Sequence, residues 1–355
     1  MSKFFITTLI DTYNHERYIE DSINSVLHQG LAASEMEVLV VDDGSTDRTA
    51  DIVHKFAPRV RLLQKPNGGQ ASAFNVGISE SCGQILFFLD GDDWWAPGKV
   101  AAVSKAFAEN PAVGLVGHGI SEVYPDGHTR VEVPREVCNF RITSPDAARS
   151  FRLRRGFLGT SRMAYRREVL NRVGSVPEAL TFEADEYLFT LAGLFADVMI
   201  LPESFTFYRR HDANLFQLTN GDASAVWRKQ RVLVALAQSL REQFEKYKVP
   251  LAISQVVLEC LDVEADLLRL AVQAGTPWDT VSTELQAMRV FHASASMKQR
   301  LFSYLRLVPA AFLPSRTYYR WRRSITQLDF YQHFRHRYFP FPVQPHVERR
   351  EKEAP

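Results

Sequence analysis

Residues 85–95 read Ile85-Leu86-Phe87-Phe88-Leu89-Asp90-Gly91-Asp92-Asp93-Trp94-Trp95. Five consecutive apolar side chains cannot be divided between a wet face and a dry one, so Ile85 to Leu89 predict a strand in a sheet covered on both sides. Asp90 and Asp92, separated only by Gly91, then fall at the C-terminal edge of that strand. Open α/β sheets bind their ligands at this edge. Oxygen ligands one residue apart suit a hard divalent cation, and such a cation holds a diphosphate. An isolated Asp-x-Asp is also an ordinary acidic turn, so its neighbours decide between the two readings.

Upstream, Glu37 to Val41 form a second apolar strand that runs into Asp42-Asp43-Gly44-Ser45-Thr46-Asp47, a turn with a helix N-cap signal. Phe4 to Ile10 form a third strand, closed by Asp11-Thr12-Tyr13-Asn14. Between these strands and the first, Asn67-Gly68-Gly69-Gln70 opens a helix of small residues that includes Ala71, Ala73, Asn75 and Gly77. Strand and helix alternate, which predicts parallel strands, right-handed crossovers and a shared crevice for a nucleotide.

The succession Asp-Thr-Tyr-Asn-His-Glu, Val-Val-Asp-Asp-Gly-Ser-Thr-Asp, Asn-Gly-Gly-Gln-Ala-Ser-Ala-Phe-Asn-Val-Gly and Phe-Leu-Asp-Gly-Asp-Asp resembles the inverting family 2 glycosyltransferases. The similarity continues more weakly from Thr160 to Asn214 and ends near residue 220. It implies the GT-A fold of nucleotide-diphospho-sugar transferases: an α/β domain with a mixed, mostly parallel central sheet and helices on both faces. It also implies a Mg2+ or Mn2+ cofactor, a nucleotide-diphospho-sugar donor and a glycan or lipid-linked acceptor. The implied activity is inverting transfer of a sugar to an acceptor hydroxyl in the synthesis of polysaccharide or another cell-surface glycan.

Roles follow residue by residue. Asp42 would accept a hydrogen bond from the base while Thr12, Tyr13 and Asn14 line the same slot; the other reading of Asp42 and Asp43 is that they cap the helix starting near Asp47. Asn67, Gly68 and Gly69 would let backbone approach the nucleotide, although a glycine pair also makes an ordinary tight turn. The resemblance assigns Asp90 to ribose or metal, Gly91 to the same donor pocket, and Asp92 to direct metal coordination. It makes His211, after Tyr208-Arg209-Arg210, a ligand of the diphosphate or the metal. Asp93 would support these from behind, and Trp94 and Trp95 would pack or stack on sugar. Relatives place the base as the Asp of a Glu-Asp pair ahead of an aromatic residue and Leu; here Glu183-Ala184-Asp185-Glu186-Tyr187-Leu188 makes Asp185 the base, with Glu183 or Glu186 as substitutes. Asp11 stands where relatives often carry Pro, a difference expected only to shape the turn.

Two rivals remain open. A sugar-phosphate nucleotidyltransferase would show a Gly-rich loop with Arg and Lys where this chain has Asp11-Thr12-Tyr13-Asn14-His15, and a non-catalytic nucleotide-sugar-binding protein would have lost its carboxylates. A dinucleotide-binding Rossmann domain lacks its Gly-x-Gly-x-x-Gly.

With 355 residues, 46% of them hydrophobic and 12% aromatic, the chain has ample material for a large core. A net charge of +1 provides no global field to recruit nucleic acid. Cys82, Cys138 and Cys260 lack metal-ligand spacing and suit a reducing cytosol, with Cys82 expected as a small buried side chain. No signal peptide precedes Phe4, and no apolar run approaches the ~20 residues of a membrane span. The expectation is a cytoplasmic protein, soluble or peripheral on the inner face of the plasma membrane.

The pattern divides the chain at about residue 220. Residues 1–220 form the glycosyltransferase domain, with a nucleotide-sugar half at 1–118 and an acceptor half at 119–220; residues 221–355 form a helical region. Within the acceptor half, Val198 to Leu201 and Phe205 to Phe207 read as two short strands. Residues 343–355 read as a frayed tail. From Lys298 to Phe339, nine Lys or Arg against Asp329 alone are interleaved with aromatics, which suits an anionic membrane surface or, equally, a helical cap with solvated arginines.

Overall fold

The computed structural model describes residues 5–211, 214, 223–291, 297–326 and 344–348. The chain divides into two compact units, one comprising residues 1–214 with 343–355 and the other residues 215–342.

The first unit is a mixed sheet flanked by helices. It begins with β1 (Ile6–Thr12), α1 (Ile19–Leu27), β2 (Met36–Asp42), α2 (Thr49–His54), β3 (Arg61–Gln64), α3 (Gln70–Glu80) and β4 (Ile85–Asp90). β1 lies between β2 and β4, parallel to both, and β3 extends the sheet parallel to β2. The five apolar residues of β4 are fully buried. Their alternation accounts for this: Phe88 meets Phe74 of α3 at 5.0 Å between ring centroids, while Phe87 meets Trp95 at 5.8 Å. The small residues of α3 let it lie against β1, where a Cβ on Gly77 would come within 2.2 Å of Leu9.

Beyond β4 the sheet is no longer parallel. The chain continues through β5 (Trp94–Trp95), α4 (Lys99–Glu109), β6 (Val113–Val123), β7 (Thr129–Val133), β8 (Cys138–Phe140) and α5 (Pro145–Arg154). It continues with β9 (Ala164–Arg166), α6 (Arg167–Val173), α7 (Ala184–Phe195) and β10 (Asp197–Arg209). β9 joins β4 to β6, antiparallel to both. The two short strands expected between Val198 and Phe207 are one strand, β10, parallel to β6, with register shifts on either side of Ser204. β5 pairs with β10 as Trp95 with Thr206 and Trp94 with Phe207. This small ladder holds the residues after Asp92 beside the strand that leads to His211.

Two expectations are corrected. Cys82 is exposed, because it lies in the turn between α3 and β4 rather than in the sheet. Within the expected frayed tail, Gln344–Glu348 form a strand, β11, antiparallel to β7, whose outer edge supplies the backbone partners.

The second unit is helical: α8 (Ala223–Lys246), α9 (Leu251–Val272), α10 (Pro277–Phe291), α11 (Met297–Tyr304), α12 (Leu307–Phe312) and α13 (Ser315–Thr326). Cys260, Val263, Ala287 and Val290 join α9 to α10, and Leu270, Ala310, Tyr318 and Tyr319 join α9, α12 and α13. No helix among the described residues is long and apolar enough to cross a membrane.

Candidate active site

Register brings the strand-end residues together. Along the parallel ladders Thr12 pairs with Asp42 and Asp11 with Asp90, so the three strands deliver their polar ends to one edge. At the end of β2 Asp42 is buried, with Oδ1 accepting the Ser45 amide at 3.0 Å. The Thr12 carbonyl accepts the Asp43 amide at 2.9 Å. Asn14 takes a left-handed conformation (φ 56°), and its Oδ1 accepts the Thr46 amide at 2.8 Å. The loops after β1 and β2 are thereby tied together, leaving Tyr13 exposed.

Neither Asp42 nor Asp43 caps α2; Asp47, just ahead of the helix, accepts the Thr49 amide at 2.9 Å. Asp43 organises the loop before α3. Its carboxylate accepts Lys65 Nζ at 2.5 Å and the amides of Gly68 and Gly69 at 3.0 and 2.7 Å, and Asn67 donates to its carbonyl at 3.0 Å. The glycine amides are therefore directed at Asp43.

Beyond the end of β4, Asp92 Oδ2 lies 2.9 Å from His211 Nε2, 3.2 Å from Asn214 Nδ2 and 3.8 Å from His15 Nε2. Burial opposes ionisation of Asp92, but the hydrogen bond from His211 and the His15 and His211 imidazoles bring its pKa below the ordinary value. Asp90 behaves in the opposite way: burial, then the charges of Asp11, Asp93 and Asp92, hold its carboxyl well above the ordinary range. Burial and Asp92 push Asp93 up to about 8. Gly91 is required between these groups, because a Cβ there would lie 2.6 Å from Thr12 Oγ1 and 2.8 Å from His15 Nδ1.

Ser161 holds the acidic loop from below. Its hydroxyl lies 2.6 Å from Asp93 Oδ2 and 3.2 Å from Asp90 Oδ2, and accepts the Asp90 amide at 3.1 Å. The Ser161 carbonyl accepts from Lys99 Nζ at 2.6 Å, Thr206 Oγ1 at 2.6 Å and Trp95 Nε1 at 3.1 Å. Trp95 is thus a packing residue, and Trp94 stacks on Phe207 at 5.1 Å. From the other side, the Arg209 amide donates to Asp93 Oδ1 at 3.0 Å, and Ser22 Oγ of α1 donates to the Gly91 carbonyl at 2.9 Å.

Asp185 opens α7 and remains partly accessible. Its Oδ2 accepts the Thr160 amide at 3.1 Å; burial nevertheless raises its pKa, against that bond and the Glu186 amide. It lies close enough to raise Asp11 and Asp90. Of the substitutes, Glu183 is buried in a left-handed conformation (φ 62°), and Glu186 is paired with Arg155 at 2.5 Å.

Several of these groups were not singled out from the sequence. Asp11, expected only to shape a turn, has Oδ1 buried without a hydrogen-bond partner, and burial followed by Asp92 raises its pKa strongly. His15 lies within the first motif, Asp-Thr-Tyr-Asn-His-Glu, and that place is its only sequence signal. Ser161, Lys99 and Asn214 carry none.

No cluster of three or more His, Cys, Asp or Glu arranged to hold a metal ion occurs among the described residues. The donor set nevertheless fits a divalent cation that relies on phosphate oxygens for part of its shell: crowded carboxylates, one buried oxygen without a partner, and an imidazole on Asp92.

An uncharacterized glycosyltransferase of Nostoc sp. is 34% identical over 218 residues, covering 59% of this chain and 66% of its own. The chondroitin synthase of Pasteurella multocida is 36% identical over 125 residues, covering 34% of this chain and 13% of its own. The chain thus spans just under two thirds of the first relative and a small part of the second. Among solved structures, the mannosyltransferase PcManGT of Pyrobaculum calidifontis, determined with GDP-Man and Mn2+, superposes with a TM-score of 0.52 at 21% identity, covering 92% of this chain and 88% of its own. That likeness shows the GT-A fold. The model of Glycosyl transferase family 2 matches residues 7–174, just under half of the chain, and over those residues the chain is similar to that family.

Proposed function

We propose that the protein transfers a sugar from a nucleotide-diphospho-sugar to an acceptor hydroxyl with inversion at the anomeric carbon, in the synthesis of polysaccharide or another cell-surface glycan. The observation that carries this reading is the register of β1, β2 and β4, which gathers Asp42, Asp11 and Asp90 at one sheet edge, with Asp92 in the turn just beyond and with Asp11 and Asp90 within electrostatic reach of Asp185. The two named relatives support glycosyl transfer, and the synthase supports a polysaccharide product.

In this reading Asp42 and the Thr12 to Asn14 loop hold the nucleotide, and Asp43 keeps the Asn67 to Gly69 turn in shape beside it. Asp90, Asp92 and His211 would hold a Mg2+ or Mn2+ ion, as the Mn2+ in the mannosyltransferase structure suggests. Such an ion supplies charge neutralisation for the departing diphosphate. Asp185 accepts the acceptor's hydroxyl proton while that oxygen bonds to the anomeric carbon from the face opposite the diphosphate. The bond from the anomeric carbon to the diphosphate oxygen breaks, and its electron pair leaves with the nucleotide. Asp185 is preferred as base because Glu186 is engaged by Arg155.

The test is a screen of nucleotide sugars for hydrolysis with and without Mn2+ and Mg2+, followed by thermal shift with the matching nucleoside diphosphate. Turnover of one sugar class with metal-dependent stabilisation is expected. No turnover of any donor, with no stabilisation by any nucleoside diphosphate, would sink the proposal.

A further inference from the structure

In α11 and α12 the usual helical pattern is inverted. Met297, Leu301 and Tyr304 recur at helical spacing in α11, as do Val308 and Phe312 in α12; with Leu305 of the turn between the two helices, they are 53% to 83% exposed. Among the described side chains from Met297 to Phe312, the buried ones are the small Ser303 and Ala310. Large apolar side chains at i, i+4 and i+7 of α11 and at i and i+4 of α12 normally face a core; here they face outward, which marks an interaction surface.

The charge around the stripe selects its partner. From Met297 to Thr326 the chain has seven Lys or Arg and no Asp or Glu, in a protein whose net charge is only +1. Arg316 and Arg320 of α13 stand exposed one turn apart, followed by the partly exposed Trp321. Arg322 is committed to Glu284 of α10 and does not contribute to this surface. A second copy of the chain would bring two such cationic segments together without an acidic group to offset them. An anionic bilayer matches both features, taking up the apolar stripe at its acyl boundary and the guanidinium groups at its headgroups.

We propose that the α11–α13 segment docks the protein peripherally on anionic lipid membrane, with Leu301, Val308 and Phe312 entering the interface and Arg316 and Arg320 at the headgroups. The part of the basic, aromatic tract at 327–339 lies outside the described residues. Vesicle binding needs neither donor nor acceptor, so its failure would leave the transfer reading untouched.

The experiment is co-sedimentation of the full chain with vesicles of mixed phosphatidylglycerol and phosphatidylcholine, and with phosphatidylcholine alone. Two variants accompany it: Leu301→Ser/Val308→Ser/Phe312→Ser and Arg316→Gln/Arg320→Gln, with thermal unfolding as the fold control. The native protein should pellet with the anionic vesicles, less as salt rises and little with phosphatidylcholine. Each variant should lower the partition coefficient by about tenfold or more. If the triple variant does not fold, the double variant, which changes only exposed arginines, decides. Pelleting of the variants equal to that of the native chain, or equal binding to neutral vesicles, overturns the proposal. So does a native protein that ignores vesicles but forms a dimer lost in the triple variant, which would assign the stripe to a second copy.

Discussion

His211 Nε2 lies 2.9 Å from Asp92 Oδ2, although 119 residues separate them in the chain. The contact depends on β10, which pairs with β5 immediately after the acidic loop and then delivers Tyr208 to His211 back over it. Tyr18 completes the enclosure, its ring 4.7 Å from that of His211. Asp92→Ala should therefore abolish metal-dependent binding of a nucleoside diphosphate while leaving the fold intact. His211→Ala should weaken the same binding less severely. Calorimetry with Mn2+ and with EDTA checks both, and unchanged metal-dependent affinity in Asp92→Ala would remove the metal role.

Asp185→Asn should leave donor affinity nearly unchanged and reduce kcat by about 10² to 10⁴, the usual size of a general-base contribution. Because burial raises the Asp185 pKa above that of an ordinary carboxylate, Asp185 acting as the proposed base would be lost to protonation at a higher pH than an ordinary carboxylate. In the native enzyme, kcat should accordingly fall as pH drops through a value above 3.8. A mild effect in Asp185→Asn combined with a severe one in Glu186→Gln would move the base to Glu186.

Ser161 bridges Asp90 and Asp93 through one hydroxyl. Ser161→Ala removes a donor from two crowded carboxyls, and a buried polar group left unsatisfied costs about 1–3 kcal/mol. A lower Tm with a reduced kcat at preserved secondary structure is the expected result. Native stability and rate in this variant would show that the acidic loop holds itself in place.

Asp11 carries a buried oxygen with no partner beside three other acids. Asp11→Asn removes one of these like charges, so the metal-free protein should gain stability, on the order of 1 kcal/mol. Metal-dependent nucleotide binding should weaken in the same variant. Thermal unfolding in EDTA and calorimetry with Mn2+ read the two effects separately, and a fall in metal-free stability would contradict the repulsive role.

The sequence by itself determined the strands that build the site and the carboxylates at their ends. Ile85 to Leu89 and Glu37 to Val41 are local runs whose burial follows from composition and length, and each ends in acid. Asp185, placed ahead of Tyr187 and Leu188, begins a helix for equally local reasons. Only the tertiary structure decided which of these groups share a volume. The pairing of Asp92 with His211, the hold of Ser161 on Asp90 and Asp93, the capture of Glu186 by Arg155 and the isolation of the Asp11 oxygen all join residues distant in the chain. Long-range strand register sets these distances, and each depends on ladders such as β5 with β10 that no local pattern encodes. The same limit applied to α11 and α12: their apolar spacing was readable, but its outward direction depended on packing against α9 and α10.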